Sequence, residues 1–259
     1  MLGFTIKKAF FDMWDNLLGA ALYNLGFVLV AAAPFLVLES LVGMGAELLS
    51  IVGWALGVLL VFVYVGGLAF VARDMTDYAS VGPKAFWGYI KEAAPASLVL
   101  GGIYLAQAFI TSVAVPVYAS MGNVLGLAAL VFLFWASVIW VLSSQFVFPV
   151  RTRLNSHIGT VLKKSFMVFF DNTGFSLFMA TGIIALAALS LPLAFLIPGP
   201  MGVLIWMQTG FKLRLMKYDY LEENPDAKRS AIPWDELLYD ERERVGTRTL
   251  RGMIFPWKE

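Results

Sequence analysis

The sequence predicts an all-α fold, a polytopic membrane helix bundle with about six transmembrane helices. The first observation is composition: the 259 residues are 59% hydrophobic and only 14% charged, more apolar surface than a soluble domain could bury. The second is that the apolar residues form long continuous runs, which is typical of helices in contact with lipid. The third is a short segment that appears three times, with two apolar runs after each copy.

The recurring segment predicts the organisation of the chain. It reads KAFFDMWDN at 8–16, KAFWGYIKE at 84–92 and KSFMVFFDN at 164–172. A regular period of this kind indicates a repeated structural unit, here a short amphipathic cytoplasmic helix followed by a membrane hairpin. We therefore expect a six-span membrane domain over residues 1–216, with repeats at about 1–75, 76–150 and 155–216. Residues 217–259 then form a cytoplasmic C-terminal tail.

Six apolar stretches are the predicted transmembrane helices, because about 20 apolar residues are needed to cross the hydrocarbon core. They lie at 17–38, 48–72, 96–118, 124–148, 175–191 and within 193–216. The first is interpreted as a membrane helix and not a cleaved signal peptide, because Asp12 and Asp15 stand where a basic leader should be.

The turn between the last two predicted spans has two candidate positions. If it lies at Pro198–Pro200, the sixth helix has only residues 201–211 before Lys212, about 16 Å of helix. If it lies at Pro192, the sixth span is long enough but contains a Pro-Gly-Pro break. Broken membrane helices often expose backbone groups to a cavity, whereas a kinked hairpin apex has no such role.

Basic residues predict the orientation. The outer connections carry no Lys or Arg, whereas the inner segments carry Lys7, Lys8, Arg73, Lys84, Lys91, Arg151, Arg153, Lys163, Lys164, Lys212, Arg214 and Lys217. By the positive-inside rule, both termini are cytoplasmic.

Each copy of the repeated segment places bulky apolar residues on one helix face. Such a helix can lie at the lipid headgroups with its aromatic side chains in the membrane, or it can pack against the inner rim of the bundle. The candidate interfacial anchors are Phe10, Trp14, Phe86, Trp87, Phe166 and Phe170.

The sequence predicts no enzyme, no cofactor and no metal site. The first five predicted spans contain no ionisable Asp, Glu, Lys, Arg or His, the groups that proton relays and intramembrane hydrolases usually use. There is no cysteine, and the single His157 alone is a poor metal site. There is no Walker A motif or dinucleotide fingerprint. The net charge of +1 indicates no nucleic-acid partner, so the lipid bilayer is the first expected partner.

Polar side chains inside the predicted bundle are the remaining candidates. Asn24, Gln107, Gln145 and Gln208 could bind a neutral solute or bridge helices by hydrogen bonds. The tail ends in an apolar cluster that is unfavourable in water, so we expect it to dock on the protein's own inner face, on the membrane or on a partner. The candidate docking residues are Leu250, Met253, Ile254, Phe255 and Trp257.

The chain resembles the YesL family of bacterial membrane proteins, also called DUF624. The resemblance is carried by the segment 8–16 before the first span, 84–87 before the third, 163–166 with 171–172 before the fifth, and Gly199-Pro200 before the last helix. It covers about residues 1–216. It implies a protein of the bacterial cytoplasmic (inner) membrane with an accessory role linked to carbohydrate uptake, and it supplies no catalytic residues.

Two functional hypotheses follow. The first is a non-enzymatic accessory or scaffold subunit that presents its amphipathic helices and tail to a membrane-complex partner on the cytoplasmic side. The alternative is a small transporter or channel for a neutral or lipidic solute, lined by Gln107, Gln145 and Gln208.

Overall fold

The computed structural model describes residues 1–154, 157–229 and 232–248. Within these ranges the chain is helical and contains no strand. We number eleven helices: α1 Leu2–Asp15, α2 Leu17–Gly43, α3 Glu47–Thr76, α4 Pro83–Ser120, α5 Val124–Ser144, α6 Val147–Leu154, α7 Ile158–Asp171, α8 Thr173–Ser190, α9 Gly199–Glu223, α10 Trp234–Leu237 and α11 Tyr239–Val245.

Five segments of the described chain are helical, long and apolar enough to cross a membrane. They are Leu17–Gly43, Glu47–Thr76, Lys84–Ser120, Val124–Leu154 and Thr173–Leu193. Their outer surfaces expose large apolar side chains, with Leu18, Leu48 and Val124 exposed by 82%, 77% and 83%. Such apolar surfaces are stable in contact with lipid and unfavourable in water, so the chain is a multi-pass membrane protein.

Helix α3 lies at the centre of the bundle and packs against α2, α4 and α9. Leu68, Ala69 and Val71 in its C-terminal half are completely buried. A side chain at Gly66 would collide with Ser97 of α4, so glycine at this position lets the two helices approach closely.

The three copies of the repeated segment do not form equivalent helices. The first copy lies in α1 and the third in α7, and these helices end at the capping residues Asn16 and Asn172. The second copy has Glu92 at the same position. Glutamate is a good helix former, and the segment continues without a break into the rest of α4. The separate amphipathic helix predicted for the second repeat is therefore not formed.

The turn between α8 and α9 lies between the two predicted positions. Helix α8 ends at Ser190, a single 3-10 turn covers Leu191–Leu193, and α9 begins at Gly199. Helix α9 begins at Gly199, so the Pro-Gly-Pro sequence lies at its start and does not interrupt it, and the helix continues past Lys212 to Glu223. The predicted boundary at residue 217 also falls inside this helix.

The α8–α9 hairpin is shorter than its neighbours. The side-chain amide of Gln208 donates to the carbonyl of Ala69 at 3.1 Å, which places these residues of α9 and α3 at the same level. From this level α3 extends about 33 Å to Glu47, whereas α9 extends only about 14 Å back to Gly199. The tip of the hairpin therefore lies about 20 Å short of the outer end of α3.

The described part of the tail folds back onto the bundle. Leu238, between α10 and α11, is completely buried, and Val245 of α11 is only 1% exposed. The tail therefore docks, up to Arg248, on the protein itself. The predicted docking residues Leu250, Met253, Ile254, Phe255 and Trp257 lie outside the described residues.

Candidate functional site

Charged and polar side chains from distant parts of the chain meet at one end of the bundle, in a cluster that we call the polar network. Its members come from α1, the end of α3 and the turn after it, α6, α9 and α11. They are Lys8, Asp12, Thr76, Asp77, Tyr78, Arg153, Gln208, Thr209, Lys212 and Glu241.

Lys8 is a completely buried cation in this network. Its Nζ lies 3.0 Å from Asp12 Oδ1 and 3.1 Å from Glu241 Oε2. It also donates to the carbonyl of Thr76 at 3.2 Å and to the hydroxyl of Tyr78 at 2.9 Å. The ammonium group thus joins α1 to the end of α3 and to the tail helix α11.

Lys212 joins α9 to the same groups. Its Nζ lies 2.6 Å from Glu241 Oε1 and 3.0 Å from Asp77 Oδ1. Asp77 also binds Arg153 of α6 at 3.0 Å. Glu241 is therefore held by two lysines, and it also accepts a hydrogen bond from Tyr78 at 2.9 Å.

Burial raises the pKa values of the carboxyl groups in this network, whereas neighbouring positive charges lower them. Burial raises the pKa of Asp12 to about 6, although Lys8 opposes that rise. Burial also acts to raise the pKa of Glu241, but the two lysines and Tyr78 outweigh it and hold that pKa below its ordinary value. For Asp77, likewise, Arg153 and Lys212 outweigh burial and lower the pKa. At neutral pH the network is a set of compensated ion pairs.

A second feature is a partly open apolar cavity of about 440 Å³ between the helices of the bundle. Its walls come from α2, α3, α4, α5, α6, α8 and α9, and the turn between α8 and α9 contributes Phe195. Most of its lining is aliphatic or aromatic, and its large side chains include Phe27, Phe62, Tyr104, Phe148, Phe195 and Met207.

Asn24 of α2 holds the turn that borders the cavity. Its amide nitrogen donates to the carbonyls of Leu196 and Pro198 at 2.9 and 2.8 Å, and its oxygen accepts from the backbone of Met201 at 2.8 Å. Gly199 has a φ of +59°, and a side chain there would collide with Asn24. Asn24 thus satisfies backbone groups that have no water at this depth.

Gln145 lines the cavity and is only 8% exposed. Its amide nitrogen donates to the carbonyls of Leu142 and Ser176 at 2.7 and 3.1 Å. Its amide oxygen is buried and has no hydrogen-bond partner among the described residues. Buried polar atoms are rarely left in this state, so this oxygen is a candidate ligand-binding group.

The predicted polar candidates occupy separate surroundings. Gln208 belongs to the polar network: it donates to Ala69 and Thr152, and it accepts from Arg153 at 3.1 Å. Gln107 lines a groove between α4 and α5, and its side chain makes no hydrogen bond to another described residue. The three glutamines predicted to line one solute path are therefore not brought together.

The six predicted interfacial anchors divide into two groups. Trp14, Trp87 and Phe170 are 49%, 66% and 62% exposed. Phe10, Phe86 and Phe166 are half-buried, and Phe86 packs against Tyr23 and Tyr64. Each copy of the segment thus turns one predicted anchor outward and one inward, and membrane anchoring stays a prediction for the three exposed rings.

The polar network was not predicted from the sequence, although the sequence contains one signal for it. Lys8 and Asp12 stand four residues apart on one helix face, a spacing that favours an ion pair. The corresponding positions of the other copies carry Gly88 and Val168 in place of Asp12. This difference marks the first copy as the one with a charge partner.

Comparison with known proteins adds no relative. The chain matches no protein-family model, no curated protein and no solved structure. Within the described ranges, no group of three or more His, Cys, Asp or Glu is placed to hold a metal ion.

Proposed function

We propose that this chain is a non-enzymatic membrane protein that acts as an accessory or scaffold subunit of a membrane complex. The observation that carries the proposal is the docking of α11 on the polar network. Glu241 is bound by Lys8 and by Lys212, so the N-terminal helix, α9 and the tail form one face. A face assembled from both ends of the chain, at the end where the charges collect, suits contact with a cytoplasmic partner.

The proposed topology places both termini in the cytoplasm. Lys7 donates to the carbonyl of Gly246 at 3.0 Å, and Arg248 binds Asp15 at 2.8 Å, so the two ends of the described chain lie together. Two arrangements place both termini on the same side of the membrane. In one the chain crosses six times, and in the other it crosses four times and the α8–α9 hairpin is re-entrant. The depth of the hairpin tip favours the re-entrant arrangement over the six-span, three-repeat one.

The proposed location is the bacterial cytoplasmic membrane, and the proposed family is YesL. These assignments rest on the short motifs of residues 1–216. They support an accessory role beside a carbohydrate uptake system, with a protein of that system as the cytoplasmic partner. The alternative of a transporter for a neutral solute gains less support, because Gln107, Gln145 and Gln208 do not share a path.

The test is native mass spectrometry of the tagged protein extracted gently from its own membranes. Three forms are compared: the full chain, a chain ending at Arg248, and a chain ending at Asn224. The form ending at Arg248 keeps the docked helices α10 and α11 and loses only the apolar end of the tail. We expect the full chain to carry a protein partner, and the form ending at Asn224, which lacks α11 and therefore the face held by Glu241, to lose it.

Each other outcome is informative. Loss of the partner from the form ending at Arg248 as well would show that the apolar end of the tail also belongs to the binding surface. A partner retained by both shortened forms, or a full chain with no protein partner, would contradict the proposal. A melting temperature in detergent that is unchanged for the form ending at Arg248 controls for loss of the fold.

A further inference from the structure

The apolar cavity lies at membrane depth. Asn24 holds Met201 level with the second turn of α2, and α2 continues about 28 Å beyond this point. Most of that continuation is apolar, with exposed side chains such as Leu29 and Phe35. The turn between α8 and α9, which borders the cavity, is therefore surrounded by hydrocarbon and not by water.

The turn is adapted to that position. Its own side chains Leu191, Leu193 and Leu196 are apolar and exposed by 64%, 53% and 38%. Its backbone groups find partners in Asn24 and in Ser190, whose hydroxyl accepts from Gly199 at 2.9 Å. A molecule that reaches the cavity past this turn comes from the lipid phase.

The polar groups of the described cavity wall that keep unused hydrogen-bonding capacity are acceptors. The oxygen of Gln145 has no donor among the described residues. The Ser144 hydroxyl donates to Val141 at 2.9 Å, so the 2.6 Å contact between Tyr104 and Ser144 uses the tyrosine hydrogen. Tyr104 is therefore left with acceptor lone pairs only.

The charge of the wall sets a second condition. Among the described residues that line the cavity, none is Asp, Glu, Lys, Arg or His. A charged headgroup would be left without a counter-charge in a low-dielectric site, which is strongly unfavourable. A volume of about 440 Å³ is within the range of small-molecule sites.

We propose that this cavity binds one molecule of a neutral lipid with a free hydroxyl group, whose hydrogen is donated to the amide oxygen of Gln145. The apolar body of the lipid fills the space between α3, α4, α8 and α9. An uncharged alcohol satisfies the orphan acceptor, whereas an ester or ether lacking a donor leaves it unsatisfied. This site is independent of the cytoplasmic face on which the accessory role rests.

The test uses photoreactive dodecan-1-ol that carries a diazirine at its far end. The full-length protein is placed in phosphatidylcholine nanodiscs and irradiated, and the labelled peptides are identified by mass spectrometry. We expect labels on the α8 and α9 segments that line the cavity. Unlabelled dodecanol should displace the probe at about tenfold lower concentration than dodecyl methyl ether, which lacks the donor, since one hydrogen bond is worth about a factor of ten.

Two variants locate the interaction. Gln145→Met removes the acceptor with little change in volume, so alcohol and ether should compete equally. Val203→Phe adds a ring that fills the cavity from α9 while leaving Gln145 intact, and it should abolish the labels. Ala185→Phe is the matched control, because Ala185 lines a different groove beside α1, and it should label like the wild type.

Three results would overturn the proposal. The first is equal competition by alcohol and ether in the wild-type protein. The second is labelling that persists unchanged in Val203→Phe. The third is displacement of the probe by dodecanoate as effective as that by dodecanol. Unchanged gel-filtration profiles and melting temperatures show that each variant is folded.

Discussion

Gln208 and Gln145 are both buried glutamines, yet their surroundings differ. Gln208 uses its amide nitrogen on Ala69 and Thr152 and its oxygen on Arg153, so both ends of the amide are bonded. Gln145 uses only its nitrogen, and its oxygen lies unpartnered beside an apolar cavity. The first belongs to a network that holds the fold, and the second is the kind of group that a ligand completes.

The comparison extends to the regions around the two residues. Around Gln208, four charged side chains from four separate segments neutralise one another: Lys212, Asp77, Arg153 and Glu241. Around Gln145 the wall carries no charge in the described chain, and the space is open. Substitutions in the network should therefore reduce stability strongly, whereas substitutions at the cavity should affect binding more than stability.

The largest expected effect is that of Lys8→Met. It leaves Asp12 and Glu241 as buried carboxylates that have lost a shared cation, and breaking a buried ion pair from one side costs about 3–5 kcal/mol. We expect a marked fall in the melting temperature in a neutral detergent. Lys84→Met is the matched control, because Lys84 is the same residue of the second repeat and is exposed. Equal melting temperatures for the two variants would show that the buried pair is not important for stability.

The next prediction compares the two glutamines directly. Gln208→Leu removes both hydrogen bonds that its nitrogen donates and leaves Arg153 Nε without its acceptor, so we expect a loss of about 2–3 kcal/mol. Gln145→Leu removes two hydrogen bonds but also removes the unpartnered oxygen, so we expect a loss below about 1 kcal/mol. Melting temperatures of both variants in the same detergent measure the difference. A larger loss at Gln145 than at Gln208 would reverse our assignment of the two regions.

The membrane class was accessible from the sequence because it depends on local properties. A run of apolar side chains long enough to cross a bilayer is visible without knowledge of the fold. The first four predicted spans accordingly fall within α2, α3, α4 and the α5–α6 segment. The fifth ends at the turn after α8, and prolines in the sequence indicated a break there.

The two candidate sites could not be predicted in the same way. The burial of Lys8 depends on Thr76 and on Glu241, which lie far away in the sequence and approach only in the folded chain. The orphan oxygen of Gln145 depends on which neighbouring carbonyls its nitrogen reaches. The sequence could identify the polar residues inside an apolar bundle, but not which of them would be satisfied.

The smallest predicted effect is a pH dependence of stability that originates in the polar network. Burial raises the pKa of Asp12 from 3.8 to about 6 in the folded protein. The favourable contribution of Asp12 to the free energy of unfolding is complete below pH 3.8, where the side chain is protonated in both the folded and the unfolded protein. It is lost as the pH rises through 6. Asp77 and Glu241 have lowered pKa values and act in the opposite sense, but only below their ordinary values of 3.8 and 4.5.

Between pH 5 and pH 7 the Asp12 contribution is therefore separated from those of the other two carboxylates. Over this interval we expect the free energy of unfolding of the wild type to fall by about 1 kcal/mol relative to Asp12→Asn, whose side chain does not titrate. In melting temperature this is a relative shift of about 2–4 °C. The measurement is thermal unfolding of both proteins across the interval at constant ionic strength. Parallel curves would show that Asp12 keeps an ordinary pKa despite its burial, and that Lys8 compensates its charge completely.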